Sequence, residues 1–242
     1  MSTQQLQELV DDAQRIVFFG GAGVSTESGI PDFRSAQGLY SQVYRRDLSP
    51  EEIISHSFLE RDPATFFDFY REKLIYPEAQ PNAAHLKLAE LERAGKLLGV
   101  VTQNIDGLDE LAGTHHVAEL HGTVMRNYCV RCHRQYGRDF VYHSTGVPHC
   151  EACGGMVRPD VVLYEEGLDP GVVEKAERWI SQADLLIVAG TSLRVYPAAG
   201  LLHYFRGQHL VLINKTPTPA DAAAALVVHA PVGEVMGALE VR

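Results

Sequence analysis

Apolar positions along the chain follow two alternating periods. Between residues 4 and 15, Leu6, Leu9, Val10 and Ala13 recur at the spacing of one helical face, and residues 16–19 follow as an unbroken apolar run that stops at Gly20. Helix, buried strand and glycine turn give that pattern. The alternation returns downstream. Leu86, Leu88, Ala89 and Leu91 lie among charges over residues 83–94, which predicts a helix, and Leu97–Thr102 reads as the next buried strand. Further strand-like runs lie at residues 184–190, 210–214 and 226–230, with helical stretches at Pro170–Gln182 and residues 197–206, and a short helix is expected at residues 222–225.

Strands that are apolar throughout and separated by helices imply a mainly parallel sheet covered on both faces, because each parallel crossover lays a helix over the sheet. The expected fold class is therefore α/β, a doubly wound Rossmann-like sheet whose ligand lies beyond the carboxyl ends of the strands. Two segments interrupt the alternation. Residues 35–76 read as helical and aromatic, with Phe58, Phe66, Phe67, Phe69 and Tyr70, and residues 123–160 are poor in apolar residues and hold every cysteine. The expected organisation is a nucleotide-binding domain built from residues 1–34, 77–122 and 161–242, with residues 35–76 and 123–160 forming a small second domain.

The 242 residues carry 45% hydrophobic and 21% charged side chains, a globular composition that leaves no room for a disordered or fibrous chain. A net charge of −10 opposes non-specific binding of nucleic acid or anionic lipid, which requires surplus positive charge, and suits a basic partner such as a lysine-bearing protein segment. The apolar runs are too short to span a membrane, which takes about 20 residues. The first ten residues are polar and acidic, with no basic segment leading into an apolar core, and the expected compartment is the reducing cytoplasm.

All 4 cysteines fall in two C-x-x-C pairs, Cys129 with Cys132 and Cys150 with Cys153. Each pair on a tight turn aims two thiolates at one point, so the spacing predicts a zinc ribbon whose tetrahedral shell is closed and hence structural. His133 and His149 flank the pairs without being needed to complete the four.

The turn after the first strand runs from Gly20 through Gly21, Ala22, Gly23, Val24 and Ser25 to Thr26. Glycines there would let backbone approach a pyrophosphate, with the amides of the next turn facing the negative charge. The usual dehydrogenase fingerprint is absent, since Thr26 stands where a third small residue belongs. Further along, Gln103-Asn104-Ile105-Asp106 ends a central strand. Asp106 could accept a hydrogen bond from a nicotinamide amide and Ile105 could wall the ring, or the segment could merely turn the chain. His121, one histidine among 11, could equally be a surface or core residue.

Four blocks taken together resemble the sirtuins, a family of NAD-dependent protein deacylases. Gly21-Ala22-Gly23-Val24-Ser25 with Ser28-Gly29-Ile30-Pro31-Asp32-Phe33-Arg34 is similar to the first signature, and Thr102-Gln103-Asn104-Ile105-Asp106-Gly107-Leu108 to the second. His121-Gly122 resembles the third, and Gly190-Thr191-Ser192-Leu193 with Val195-Tyr196-Pro197 the fourth. The order is the family's and the cysteine module sits where the family carries it.

The resemblance implies an enzyme that consumes NAD and moves the acyl group of an acetyl-lysine to ADP-ribose. It implies His121 as the general base on a ribose hydroxyl, with Asn104 and Ser25 placing ribose and water. Phe33, Ile105 and Asp106 would hold nicotinamide, and Arg34 would organise the phosphate side. Gly21, Ala22, Gly23, Thr26, Asp32 and Gln103 complete that part of the NAD site. Gly190, Thr191, Ser192 and Asn214 would bind the adenosine, with Lys215 and Val232 as further contacts. The partners implied are acetyl-lysine proteins, whose peptide adds as a strand between residues 161–167 and 193–197.

Two departures stand out. The family often has an aromatic residue, Gly and Glu in the first of those loops, where this chain has Tyr164-Glu165-Glu166, and a Glu in place of Gly restricts φ and adds charge. Members that remove acidic acyl groups have Tyr-x-x-Arg, where this chain has Tyr70-Arg71-Glu72-Lys73, and lysine cannot supply a bidentate fork. Neutral acyl groups are therefore the expected substrates. Rival readings are an ADP-ribosyltransferase on the same NAD site, an NAD dehydrogenase, and a zinc-ribbon binding module without catalysis.

Overall fold

The computed structural model describes residues 2–33, 38 and 48–241. In chain order the helices and strands are α1 (Ser2–Asp12), β1 (Ile16–Gly20), α2 (Pro50–Ile53), α3 (His56–Arg61), α4 (Pro63–Lys73), α5 (Ala83–Arg93), β2 (Leu97–Thr102), α6 (Leu108–Leu111), β3 (Val117–Glu119), β4 (Gly122–Cys129), β5 (Gln135–Gly137), α7 (Arg138–Tyr142), β6 (Val157–Val161), α8 (Pro170–Gln182), β7 (Leu185–Ala189), β8 (His209–Ile213), β9 (Leu226–Val228) and α9 (Val232–Gly237). No described helix is long and apolar enough to cross a membrane.

Six strands form one parallel sheet in the order β3-β2-β1-β7-β8-β9. Successive side chains of β1 face opposite sides. Ile16 and Phe18 enter a core with Leu6 and Val10 of α1, Leu88 and Leu91 of α5, and Val235 and Met236 of α9. Val17 and Phe19 enter another with Ala176, Trp179 and Ile180 of α8. Every residue of β1 and β7 is buried, which is why both read as unbroken apolar runs.

Local signals set the helix starts. Asn82 caps α5 with its side chain on Ala84 N–H, and His85 Nδ1 returns to Asn82 N–H at 3.2 Å. Asp169 accepts from Gly171 and Val172 N–H, and Pro170 opens α8. The helical stretch expected at residues 197–206 is a 3-10 helix, Ala198–Tyr204, and the one at residues 222–225 shrinks to the 3-10 turn Asp221–Ala223.

A second, antiparallel sheet has the order β5-β4-β6. It shares a core with the helices that precede α5: Ile53, Phe58, Phe66, Phe67, Phe69 and Tyr70 pack with Val124, Val141, Val157 and Leu163. Ser49, Ser55 and Asp62 cap α2, α3 and α4 in succession, so three short helices break cleanly and fold around that aromatic cluster. Of the helical stretch expected over residues 35–76, residues 35–37 and 39–47 lie outside the described residues, and residues 48–49 and 75–76 are not helical.

Candidate active site and metal centre

Strand register brings the four sequence blocks to one level. Gly20 pairs with Thr102 and with Ala189, Ala189 pairs with Ile213, and Thr102 pairs with Glu119. The next residues out of the sheet are therefore Gly21, Gln103, Gly190 and Asn214, with His121 two positions beyond Glu119. The chain runs from β1 outward to β3 and later lays β7 against the other side of β1. This is the topological switch where a doubly wound sheet opens a ligand crevice at its carboxyl edge.

The two turns flanking that switch are locked together. Gly21 N–H donates to Ala189 O at 3.1 Å and Gly23 N–H to Gly190 O at 2.8 Å. A Cβ on Gly21 would lie 2.7 Å from Thr191 Cβ, and one on Gly23 would lie 2.7 Å from Gly190 Cα. Glycine is needed here because the neighbouring turn already fills the space, a reason that differs from the pyrophosphate approach read from sequence. Gln103 ties the same corner, donating from Nε2 to Thr191 Oγ1 at 3.1 Å. Thr26 Oγ1 closes its own turn on Gly23 O at 3.0 Å.

Ser25, Asn104 and Asp106 form one network. Ser25 Oγ donates to Asp106 Oδ2 at 2.7 Å and receives Asn104 Nδ2 at 3.1 Å, and Asp106 Oδ1 accepts Leu108 N–H at 2.9 Å. Burial holds the Asp106 carboxyl above its usual range, partly opposed by the two hydrogen bonds it accepts. Beside this network lies a cavity lined by Ala22, Ser25, Phe33, Asn104, Ile105 and Asp106, with Ile30, Pro31, Lys73, Leu74 and Tyr76 closing it.

His121 is anchored through Nδ1 to Gln103 O at 2.8 Å. A carbonyl only accepts, so Nδ1 carries the proton and Nε2 is left with its lone pair. Burial holds the imidazole below its usual range, partly opposed by that carbonyl, so it is neutral near pH 7.

Asn214 follows β8, where Gly190 N–H meets Ile213 O at 3.0 Å, and its own amide closes on Thr216 O at 2.9 Å. Ser192 and Lys215 are exposed and Asp32 is half-buried. Val232 opens α9 with its side chain 3% exposed in the core, so a ligand contact there would use its main chain. Arg34 lies outside the described residues. Sequence reading missed Ile30, Pro31 and Tyr76 as cavity walls. The fold separates the two ends of Tyr70-Arg71-Glu72-Lys73: Tyr70 is fully buried, stacked on Phe66 with its hydroxyl unpaired among the described residues, whereas Lys73 lines the cavity.

The cysteines sit on two matching knuckles. Cys129 N–H donates to Arg134 O and Cys150 N–H to Gly155 O, while His133 N–H returns to Cys129 O and Gly154 N–H to Cys150 O. The same position of each knuckle is left-handed, His133 at φ 58° and Gly154 at φ 69°. All four Sγ atoms lie within 4.8 Å of one another, with Cys129 and Cys153 at 3.4 Å and Cys132 and Cys150 at 3.6 Å. A tetrahedral zinc with Zn–S of about 2.3 Å needs sulfurs about 3.8 Å apart, so the four thiols, 3.4 Å apart in one pair and all within 4.8 Å, fit the ion with shifts of an ångström or less. No described histidine or carboxylate joins the group.

Comparison with known proteins agrees with this geometry. The model described as Sir2 family matches residues 21–197. A Clostridium perfringens protein named NAD-dependent protein deacetylase is 58% identical over 96% of both chains. Among solved structures, a Sir2 enzyme with a deacetylated p53 peptide and 3′-O-acetyl ADP-ribose superposes with a TM-score of 0.88 at 37% identity, covering 98% of this chain and 96% of that one. A Sir2 homologue in complex with NAD gives 0.86 at 36% identity, covering 97% and 91%. The chain belongs to the Sir2 family, the sirtuins.

Proposed function

We propose that the chain is an NAD-dependent protein lysine deacetylase. It would consume NAD, one water and an acetyl-lysine side chain and produce nicotinamide, free lysine and O-acetyl-ADP-ribose. The observation that carries this reading is a neutral imidazole at His121, fixed by Gln103 O and presenting an unprotonated Nε2 at the carboxyl edge of the sheet. A general base for a ribose hydroxyl requires that protonation state near pH 7. The family relationship supports the same reaction.

In this reading the residues divide the work by position. His121 takes the ribose proton at Nε2. Asn104 and Ser25, already bonded to each other, orient ribose and water, and Asp106 and Ile105 receive the nicotinamide end in the cavity shared with Ala22 and Phe33. Gly21, Gly23, Thr26, Asp32 and Gln103 border the phosphate and ribose path, for which Arg34, outside the described residues, is the expected cation. Gly190, Thr191, Ser192, Asn214, Lys215 and the main chain at Val232 take the adenosine side. NAD supplies the scissile glycosidic bond and the acyl acceptor, and the chain supplies placement, a dry pocket and a proton acceptor. Cys129, Cys132, Cys150 and Cys153 hold one structural zinc remote from these steps. The parallel sheet with its helices is the NAD-binding unit, and the cysteine sheet with α2, α3 and α4 is the small one.

Acetyl-lysine proteins are the partners, bound as an added strand between residues 161–167 and 193–197. Their acyl group should be neutral, because Lys73 Nζ is already countered by Glu72 Oε1 at 3.0 Å. Four unpaired thiols in one cluster suit a reducing cytoplasm.

The test is product identification by mass spectrometry after incubation with NAD and an acetyl-lysine or a succinyl-lysine peptide in parallel. Nicotinamide and O-acetyl-ADP-ribose are expected, with succinyl turnover the slower. ADP-ribose retained on protein would favour the transferase instead, and NADH would favour the dehydrogenase.

A further inference from the structure

The loop after β6 contains a feature that the deacetylase reading leaves unused. Glu165 adopts φ 76°, a left-handed conformation that costs any residue with a Cβ. Its side chain is exposed, yet both carboxylate oxygens are engaged: Ser57 N–H donates to Oε2 at 2.9 Å and Ser57 Oγ to Oε1 at 3.0 Å. Ser57 lies in the first turn of α3, on the small unit. The main chain beside it crosses the same gap, with His56 N–H donating to Tyr164 O at 3.0 Å and Tyr164 N–H to Ile54 O at 3.1 Å. Glu166 secures the other side, accepting both Arg158 Nη1 at 2.7 Å and Nη2 at 3.1 Å, and Leu163 N–H at 2.9 Å.

A second observation points the same way. Among the described residues, left-handed non-glycine positions are His133 in the first cysteine knuckle, Glu165 and Leu193. The last two fall one in each of the loops between which the peptide is expected to add. Backbone conformations that are costly and held by outside contacts gather at ligand clamps.

We propose that Glu165 is a positioning residue for the peptide: its carboxylate clamps the loop after β6 to the start of α3 and holds the left-handed turn that glycine adopts unaided. The loop then meets an incoming acyl-lysine strand already in shape, so ordering it takes nothing from binding. The proposal rests on the deacetylase reading. Glu165 does not touch the reacting atoms, so its removal changes peptide affinity and spares the chemical step.

The experiment measures steady-state turnover of an acetyl-lysine peptide and calorimetric binding of ADP-ribose for the wild-type chain and for Glu165→Ala, Glu165→Gly, Ser57→Ala and the Glu165→Ala/Ser57→Ala pair. Glu165→Ala should raise the peptide KM about fivefold or more with kcat within about twofold, since two hydrogen bonds to a charged acceptor are lost while the φ cost remains. ADP-ribose affinity should not change. Glu165→Gly should recover part of the KM, because glycine takes the turn freely. Ser57→Ala should have a smaller effect alone and none in the Glu165→Ala background. A peptide KM within twofold of wild type in Glu165→Ala, an equal loss of ADP-ribose affinity, or additivity of the two substitutions overturns the clamp. A wild-type chain without turnover overturns the deacetylase reading and the clamp with it, whereas active wild type with an indifferent Glu165→Ala overturns the clamp alone.

Discussion

Around the crevice, the candidate side chains follow strands of one parallel sheet: β1 and β7, buried from end to end, fix the turns at Gly21 and Gly190, the mostly buried β2 leads to Asn104 and Asp106, and β3, half-buried at both ends, leads to His121. The cysteine sheet has an apolar core on its helix side, but its outer edge does not. Its β5 spans only Gln135–Gly137 with both end residues exposed, and Cys132 itself is exposed. Apolar burial on two faces determines geometry in the first region, while in the second the knuckles at that edge depend on four thiolates and one ion as well as on the core beneath them. Hence a side chain in the crevice can be changed for its chemistry with the fold intact, whereas one in the cysteine unit cannot.

The largest expected effect separates chemistry from folding at His121. His121→Gln retains an amide donor for Gln103 O but has no nitrogen that takes a proton. Turnover with NAD and acetyl-lysine peptide should fall by roughly a hundred- to ten-thousandfold. Thermal unfolding and ADP-ribose binding should stay near wild type. A variant that keeps turnover within tenfold would remove the imidazole from the reaction and with it the contrast between the two regions.

Cys129→Ser should show the reverse. With one thiolate gone from a closed shell, bound zinc should drop from one ion per chain, measured by elemental analysis, and Tm should fall on the order of 10 °C. Turnover should decline only in step with the folded fraction. Complete loss of activity in a sample whose circular dichroism and Tm are unchanged would instead place the metal in the chemistry.

The two regions were also unequally legible in the sequence. Leu97–Thr102 and Pro170–Gln182 have the bounds that their apolar run and their Asp169-Pro170 start predict, because the signals are local. The cysteine pairs were legible for the same reason. Contacts between distant segments were not. Gly21 and Gly23 read as a close approach to a phosphate, and the sequence did not show that a Cβ on either would also strike Thr191 or Gly190 of a turn that only the sheet order brings near. That Tyr70 is buried while Lys73 of the same helix lines the cavity was not legible either, because which side of α4 faces the cavity depends on the core shared with the cysteine sheet. Glu165 read as a misfit for φ, and its partner Ser57 lies 108 residues away.

The smallest expected effect compares two histidines across pH. His85 is fully buried, accepts Asn82 N–H at Nδ1, and has no partner for Nε2 among the described residues. Burial lowers its pKa from 6.5 to about 4. The unfolded chain therefore takes up this proton near pH 6.5 and the folded chain near pH 4, so the stability is fully present above pH 6.5 and is lost as pH falls toward 4. The loss amounts to at most about 3 kcal/mol. His121 is shifted downward too, so the acid limb of kcat/KM should lie below pH 6.5, where the base finally takes its proton. Denaturant unfolding of His85→Gln should flatten the stability slope over that range and leave the acid limb in place. If the substitution moved the acid limb instead, the proton that controls turnover would be held at α5, within the packed face of the sheet, and the crevice would owe its pH dependence to folding.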